Sequence, residues 1–371
     1  LYKNSSKVSE RNSTVLYYDC TNFFFEKEEE DQLKKYGKSK QHQPLPLVGM
    51  GLFMDGDGIP LAFDIFPGNK NEQPTLKPLE QKVIRDFGLG SVVICTDAGL
   101  SSTANRKFND KSINGEQIRS FITTQSIKML PAHLKEFALD NDGWKLPGDD
   151  RIYNLSDLDA DEYYEQIFYK DRWISEDLTG KDKKSGKKPL EQHLIVSFSF
   201  KYLRYQRRIR SGQIERALKI VQGGEKKRKA KTQNDPNRFV GCMDMTADGE
   251  ACLRHELYLD EETIRNEEMY DGFYAVCSNL ADADIGEVIR INKRRWEIEE
   301  CFRTMKTEFK ARPVYLQKEE RIKAHFLTCF IALVIYRMLE KRLHEEYSCE
   351  EIIHTLRDMI MFRHAAKSGY S

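Results

Sequence analysis

The chain lacks any cysteine pair at C-x2-C spacing and any histidine placed as a metal finger needs. Its eight cysteines, at 20, 95, 242, 252, 277, 301, 329 and 349, are scattered. In a chain of 371 residues that pattern favours free thiols in a reducing compartment over a disulfide framework or a zinc site. No secretory signal opens it. No apolar run is long enough to span a bilayer either; the most apolar one, Phe326 to Tyr336, reads as a buried helix. Internal repeats are missing, and so is an initiator methionine, which points to a fragment or a trimmed chain. Net charge of one sign is missing too, with 59 Lys and Arg against 59 Asp and Glu. What is present is a chain with 32% charged residues and a mean hydropathy of −0.64, soluble in character and long enough for more than one compact unit.

Taken in order, the polar lead-in Leu1 to Thr14 precedes Val15 to Thr21, where β-branched and aromatic residues predict a strand ending near Asp19. A charged span, Glu26 to Gln43, follows. Its Gly37-Lys38-Ser39 is not a phosphate loop: Gln32 stands where the first glycine is required, and no apolar strand precedes it. Leu45 to Met54 and Ile59 to Phe66 flank Asp55-Gly56-Asp57-Gly58, a hairpin signal. Thr75 to Phe87 has helical apolar spacing stopped by Gly88. Val92-Val93-Ile94-Cys95 reads as a buried parallel strand ending at Asp97, followed by a short helix at Ser101 to Phe108 and a strand at Ser120 to Thr124. Three antiparallel strands, a helical crossover and a parallel strand form the layout of an RNase H-like α/β fold. In it the first strand and the strand after the first helix are neighbours, so Asp19 and Asp97 should meet at their carboxyl ends.

Residues 129–280 read as a β-rich, basic insertion, with strand-like runs at Tyr163–Ile174, His193–Tyr202, Arg238–Met245 and Gly272–Ser278 and a helix from Tyr202 to Val221. Its cations segregate: Lys181, Lys183, Lys184, Lys187 and Lys188; Lys201, Arg204, Arg207, Arg208 and Arg210; then Lys226, Lys227, Arg228, Lys229 and Lys231. Such runs are commonly no more than solvated surface, but segregation this strong favours a polyanion. Loops are expected at Gly180–Lys188 and Gln222–Asn237. The insertion divides the catalytic core into 1–128, carrying Asp19 and Asp97, and a helical part at 281–371. The latter holds a long helix, Glu319 to Glu346, with Ile322, Phe326, Phe330, Val334 and Met338 on its buried face, and a shorter one at Cys349 to Arg363.

The most informative stretch is Asn292 to Lys306, which has no Gly or Pro and reads as one helix with Trp296, Ile298 and Phe302 at least partly buried. Arg295, Glu299, Phe302 and Lys306 fall at i, i+4, i+7 and i+11, on one face. A salt-bridge helix would repeat its i, i+4 pairs; here the spacing R-x3-E-x6-K is uneven. Taken singly, an Asp at a strand end is commonly a turn or cap residue, and Glu299, between Glu297 and Glu300, could be any surface acid. The combination is more specific. It resembles the Y-x2-R-x3-E-x6-K signature of DDE transposases from bacterial insertion sequences, with Asn292 where that family has Tyr. Further stretches carry the likeness: Tyr18-Asp19-Cys20-Thr21, Gly37-Lys38-Ser39-Lys40, Leu45-Pro46-Leu47, Gly58-Ile59-Pro60-Leu61, Phe66-Pro67-Gly68-Asn69, Asp97-Ala98-Gly99-Leu100 and Arg321 to Phe326.

The resemblance implies that Asp19, Asp97 and Glu299 are catalytic and hold two Mg²⁺ (or Mn²⁺) ions. Three carboxylates can keep such a pair about 3.5–4 Å apart for in-line attack at phosphorus. Arg295, Arg303, Lys306 and Asn292 would then bind DNA phosphates. The implied activity is metal-dependent cleavage at the ends of a mobile element and strand transfer into target DNA. The partners would be double-stranded terminal inverted repeats and target DNA, with a homodimer in the assembled complex and no membrane. The implied setting is the bacterial cytoplasm, at the nucleoid. Two alternatives stay open: an RNase H-like nuclease without strand transfer, and an inactive transposase-derived DNA-binding protein.

Overall fold

Strand β1 (Val15–Phe24) is the centre of the first of two compact units, in a computed structural model that describes residues 1–175, 189–223, 229–230, 232, 234–245, 254–281 and 283–359. That unit comprises Leu1–Thr124 and Asp282–Ser371; the second is Gln125–Ala281. In the first, β1 pairs antiparallel with β2 (Leu47–Asp55), which pairs antiparallel with β3 (Pro60–Pro67). On its other side β1 runs parallel to β4 (Val92–Thr96), and β4 parallel to β6 (Glu116–Gln125), with the short β5 (Lys111–Ile113) on β6. The order β3-β2-β1-β4-β6 makes a mixed sheet.

The hairpin turn is built by Asp55, whose Oδ1 accepts from the backbone N–H of Asp57 at 3.1 Å and of Ile59 at 2.9 Å. Gly58 takes φ +80°, a left-handed value glycine adopts freely. The crossover helix spans Leu76–Phe87 and stops at Gly88, φ +64°, as the sequence indicates.

Alternation along β1 decides which layer each residue serves. Leu16, Tyr18 and Cys20 pack with Leu76, Leu79 and Val83 of the crossover helix. Tyr17, Asp19, Thr21 and Phe23 take the opposite face, where Tyr17 donates to Ile291 O at 3.0 Å and the Phe23 ring lies 4.9 Å from Phe326. Helices therefore cover both faces. The helix carrying Phe326 spans Glu319–Arg342 and is long and apolar enough, by length and composition, to cross a membrane. The Phe326–Tyr336 run is thus part of a longer apolar element than it looks. Ile322, Phe326, Phe330 and Val334 are buried, as expected of that face, Leu333 is buried beside them, and Met338 is only partly so. The last described helix, Cys349–Asp358, opens with a capping box between Ser348 and Glu351.

Several local expectations need correction: Trp296 is not partly buried, the Tyr163–Ile174 run is a strand only from Phe168, and the His193–Tyr202 run becomes helical at Phe200. Asp19 does not end its strand: β1 continues to Phe24, because β2 goes on pairing with it after β4 has stopped. And Asn292 to Lys306 is two helices, Ile285–Lys293 and Trp296–Thr307, separated by a turn at Arg294 and Arg295. The turn lets Arg294 reach back to the buried carboxylate of Glu297 at 2.8 Å, and it turns Trp296 outward, 59% exposed. Ile298 and Phe302 are buried as expected.

In the second unit, β7 (Phe168–Ser175), β8 (Glu191–Phe198) and β11 (Phe273–Ser278) form an antiparallel array in the order β11-β8-β7, and β9 (Val240–Met245) pairs with β10 (Arg254–Leu259). A 23-residue helix, Phe200–Gln222, packs on Phe239, Val240 and Ile264 through Ala217. Strand β10 and the Glu261–Glu268 helix carry no strong sequence signal and were not expected. The Gly180–Lys188 loop, Lys181, Lys183, Lys184, Lys187, Lys188, Lys226, Lys227, Arg228, Lys231 and Cys252 lie outside the described residues. The other seven cysteines are free thiols, six of them buried.

Candidate active site

Tyr18 is the last residue of β1 paired with β4, opposite Thr96. The next pair in that register is Asp19 and Asp97, so the two carboxylates are neighbours at the point where the parallel pairing ends. Asp97 caps the turn Ala98–Leu100, its Oδ1 accepting from the Leu100 N–H at 3.0 Å. Asp19 Oδ1 accepts its neighbour's backbone N–H, that of Cys20, at 2.7 Å. Burial pushes the Asp19 carboxyl up to about 6; the ammonium of Lys40 opposes that rise, and the charge of Asp97 adds to it.

Glu299 reaches the same place from the other side. A cavity of about 300 Å³ is lined by Asp19, Thr21, Lys40, Glu299, Lys306 and Arg312, among others. Alternation on β1 aims Asp19 and Thr21 at it, and the 3.6-residue period of the Trp296–Thr307 helix aims Glu299, Phe302, Arg303 and Lys306 at it. The Glu299 carboxylate is half-exposed and held by Arg295 Nη1 at 2.8 Å. Lys306 donates to Thr21 Oγ1 and lies 5.5 Å from the centre of the Phe23 ring. Its burial, with Arg312 and Lys40 close by, pushes its ammonium down to about 8.

The seven residues singled out by sequence therefore divide. Asp19, Glu299, Arg303 and Lys306 line one cavity; Asp97 adjoins it through Asp19, and Arg295 through Glu299. Arg303 forms an ion pair with Glu300 on the rim. Asn292 is not brought to the cavity: it is 5% exposed, on the preceding helix, within 3.5 Å of Thr124 Oγ1. Lys40 and Arg312 line the cavity and were missed as site residues. Lys40 closes the Gly37-Lys38-Ser39-Lys40 stretch, which carried the likeness but no assigned role, and Arg312 lies in a connector with no periodicity to mark it.

The donor set suits a hard cation: carboxylate oxygens only, with Asp19 carrying a burial cost that a nearby positive charge would relieve. Among the described residues, however, no three His, Cys, Asp or Glu side chains are already gathered to hold a metal ion. Asp19 and Asp97 are adjacent in the β1–β4 register, and Glu299 is paired with Arg295. Burial pushes the Cys20, Cys95 and Cys301 thiols up to about 12, which disfavours their nucleophilic thiolate forms.

The family model for the transposase DDE domain matches residues 10–335. Among solved structures, the chain is similar to a Mos1 transposase paired-end complex with left transposon end, at 14% identity over 28% of this chain and 34% of that one, TM-score 0.19. It is also similar to a piggyBac transposase synaptic complex with hairpin DNA, at 10% identity over 96% of this chain and 59% of that one, TM-score 0.29. The chain spans a third to three fifths of those proteins, and superpositions this loose transfer no residue's role. No curated protein matches.

Proposed function

The chain belongs to the transposase DDE domain family, and from that membership we propose that it cuts DNA at the ends of a bacterial mobile element and joins the freed end to target DNA. The observation that carries this reading is the meeting of Asp19, Glu299 and Lys306 on one cavity with Asp97 beside it.

On this reading Asp19, Asp97 and Glu299 hold a pair of Mg²⁺ or Mn²⁺ ions, which when bound activate the attacking oxygen and stabilise the leaving one. The chain's own part is positioning and charge. Arg295 keeps the Glu299 carboxylate paired at 2.8 Å until it is needed, then becomes free for a phosphate oxygen. Lys306, anchored by Thr21, presents a point charge beside Asp19, and Arg303 at the rim meets the backbone further out. Residues 1–128 and 281–371 act as the catalytic core and 129–280 as a DNA-handling insertion. Two copies are needed to hold two ends.

The test incubates the chain with linear DNA carrying the element's own ends, with Mg²⁺ and with EDTA, and scores cleavage and joining separately. Cleavage and joined product should appear with Mg²⁺ and vanish in Asp19→Asn, Asp97→Asn and Glu299→Gln. Cleavage without joining, when a pre-cut end is supplied, indicates a plain nuclease. A second reading, an inactive DNA-binding protein, is favoured by the pairing of Glu299 with Arg295; it requires that the wild-type chain bind DNA and never cut it.

A further inference from the structure

The connector between the Trp296–Thr307 and Glu319–Arg342 helices carries Arg312, which no motif singles out. This connector is firmly held. Ala311 N–H donates to Met305 O at 3.0 Å, Val314 N–H to Phe24 O at 2.9 Å, and Glu26 N–H to Val314 O at 3.3 Å. Ala311 and Val314 are buried on either side of Arg312, and Phe25 and Val314 form a parallel bridge at the end of β1. The chain thus fixes Arg312 on the wall of the cavity that also contains Lys306, Lys40 and Thr21.

No hydrogen bond reaches the Arg312 Nη1 atom, although it is shielded from solvent. A guanidinium nitrogen in that state loses its hydration without compensation. Two further cations share the cavity. Lys40 is tied to Cys20 O and lies 3.3 Å from Glu72, while Lys306 is held by the neutral Thr21 hydroxyl. Cations crowded together with an open hydrogen-bonding position are a site built for an anion that is not part of the chain.

We infer that Arg312, with Lys306 and Lys40, forms a phosphate clamp that grips a backbone phosphate of the DNA next to the acidic residues. The inference deepens the proposed function and rests on it for the identity of the anion. Arg312 supplies the directional fork, and the lysines supply point charges. The clamp lies on the cavity wall formed by the end of β1 and the connector, so it sets how far along the strand the acids act.

Its test uses the full chain in EDTA, so that cleavage cannot intervene, and measures the affinity of Arg312→Gln and Arg312→Lys for a duplex as a function of salt. Thermal melts of each variant check folding. The Gln variant should bind roughly tenfold more weakly, with the salt slope reduced by about one, and the Lys variant should keep the slope while losing part of the affinity. Unchanged affinity and slope in a folded Gln variant overturn the clamp and leave the transposase reading standing. If the wild type binds no duplex, the transposase reading fails, and inorganic phosphate titrated against wild type and Arg312→Gln decides the clamp alone. Phosphate binding lost in the variant supports the clamp, and equal or absent binding in both overturns it. Should the Gln variant not fold, the Lys variant carries the same comparison, with undiminished affinity as the overturning result.

Discussion

Glu80 shows at the scale of one residue what burial does to an acid in this fold. It sits on the crossover helix, fully buried, with Asn109 Nδ2 donating to Oε2 at 3.1 Å and Arg119 Nε 3.9 Å from Oε1. Oε1 itself has no hydrogen bond. Burial pushes its carboxyl up to about 7, and the partners only partly oppose the rise. The folded pKa lies above the unfolded one, so the folded state holds the proton more tightly. Stability is then greatest below about pH 4.5 and falls as pH rises to about 7, with no further loss from this group above that. Glu80→Gln should flatten that slope and gain on the order of 1–3 kcal/mol at pH 8, read from urea melts at pH 5 and pH 8. A Gln variant less stable than wild type at pH 8 would show that the Arg119 pairing outweighs desolvation. Asp19 differs in kind: it carries a similar cost at a place where function can repay it.

At the scale of elements, the Trp296–Thr307 helix is set by a buried ion network rather than by its own periodicity. Glu297, 5% exposed, receives Arg337 Nη2 at 2.6 Å and Arg294 Nε at 2.8 Å, and Arg337 Nε also donates to Gly58 O at 2.9 Å. The network joins this helix, the Glu319–Arg342 helix and the β2–β3 turn, and a Cβ at Gly58 would collide with Glu297 Oε2. Arg337→Met leaves Glu297 buried and under-compensated, and should cost about 3–5 kcal/mol in chemical denaturation. Adding Glu297→Gln should recover a large part of that loss; if the double variant is no better than the single, the pairing is not what holds the helix. The same network explains what the sequence hid. The hairpin, the crossover helix and the parallel strand were legible because alternation, helical spacing and glycine stops are local signals. The break at Arg294 and Arg295 was not, because no Gly or Pro marks it, and the Glu297 that Arg294 binds there is also held by Arg337, more than forty residues away. The R-x3-E-x6-K spacing singled out Glu299 from Glu297 and Glu300, but nothing in it told what the other two do. Packing does: Glu297 is structural, Glu299 faces the cavity, and Glu300 pairs with Arg303.

For the whole molecule, neutrality conceals an uneven distribution of charge. The formal net charge is zero, yet the Phe200–Gln222 helix of the second unit displays Arg208, Arg216 and Lys219 in exposed positions. Some neighbours are spoken for: Lys201 pairs with Glu165 at 2.7 Å, and Arg210 is buried against Asp271. A helix meant only for solvation gains little from such cations, whereas one that follows a phosphate backbone releases about 0.9 counterions per contact. Replacing Arg208, Arg216 and Lys219 together by Gln should therefore reduce the salt slope of duplex binding by roughly three units. Cleavage of a pre-bound end at low salt should stay nearly unchanged, because the acids reside in the other unit. The comparison separates affinity from chemistry. A variant that loses cutting at low salt while keeping its slope would show that the helix serves the acids rather than the DNA, and the second unit would need a different role.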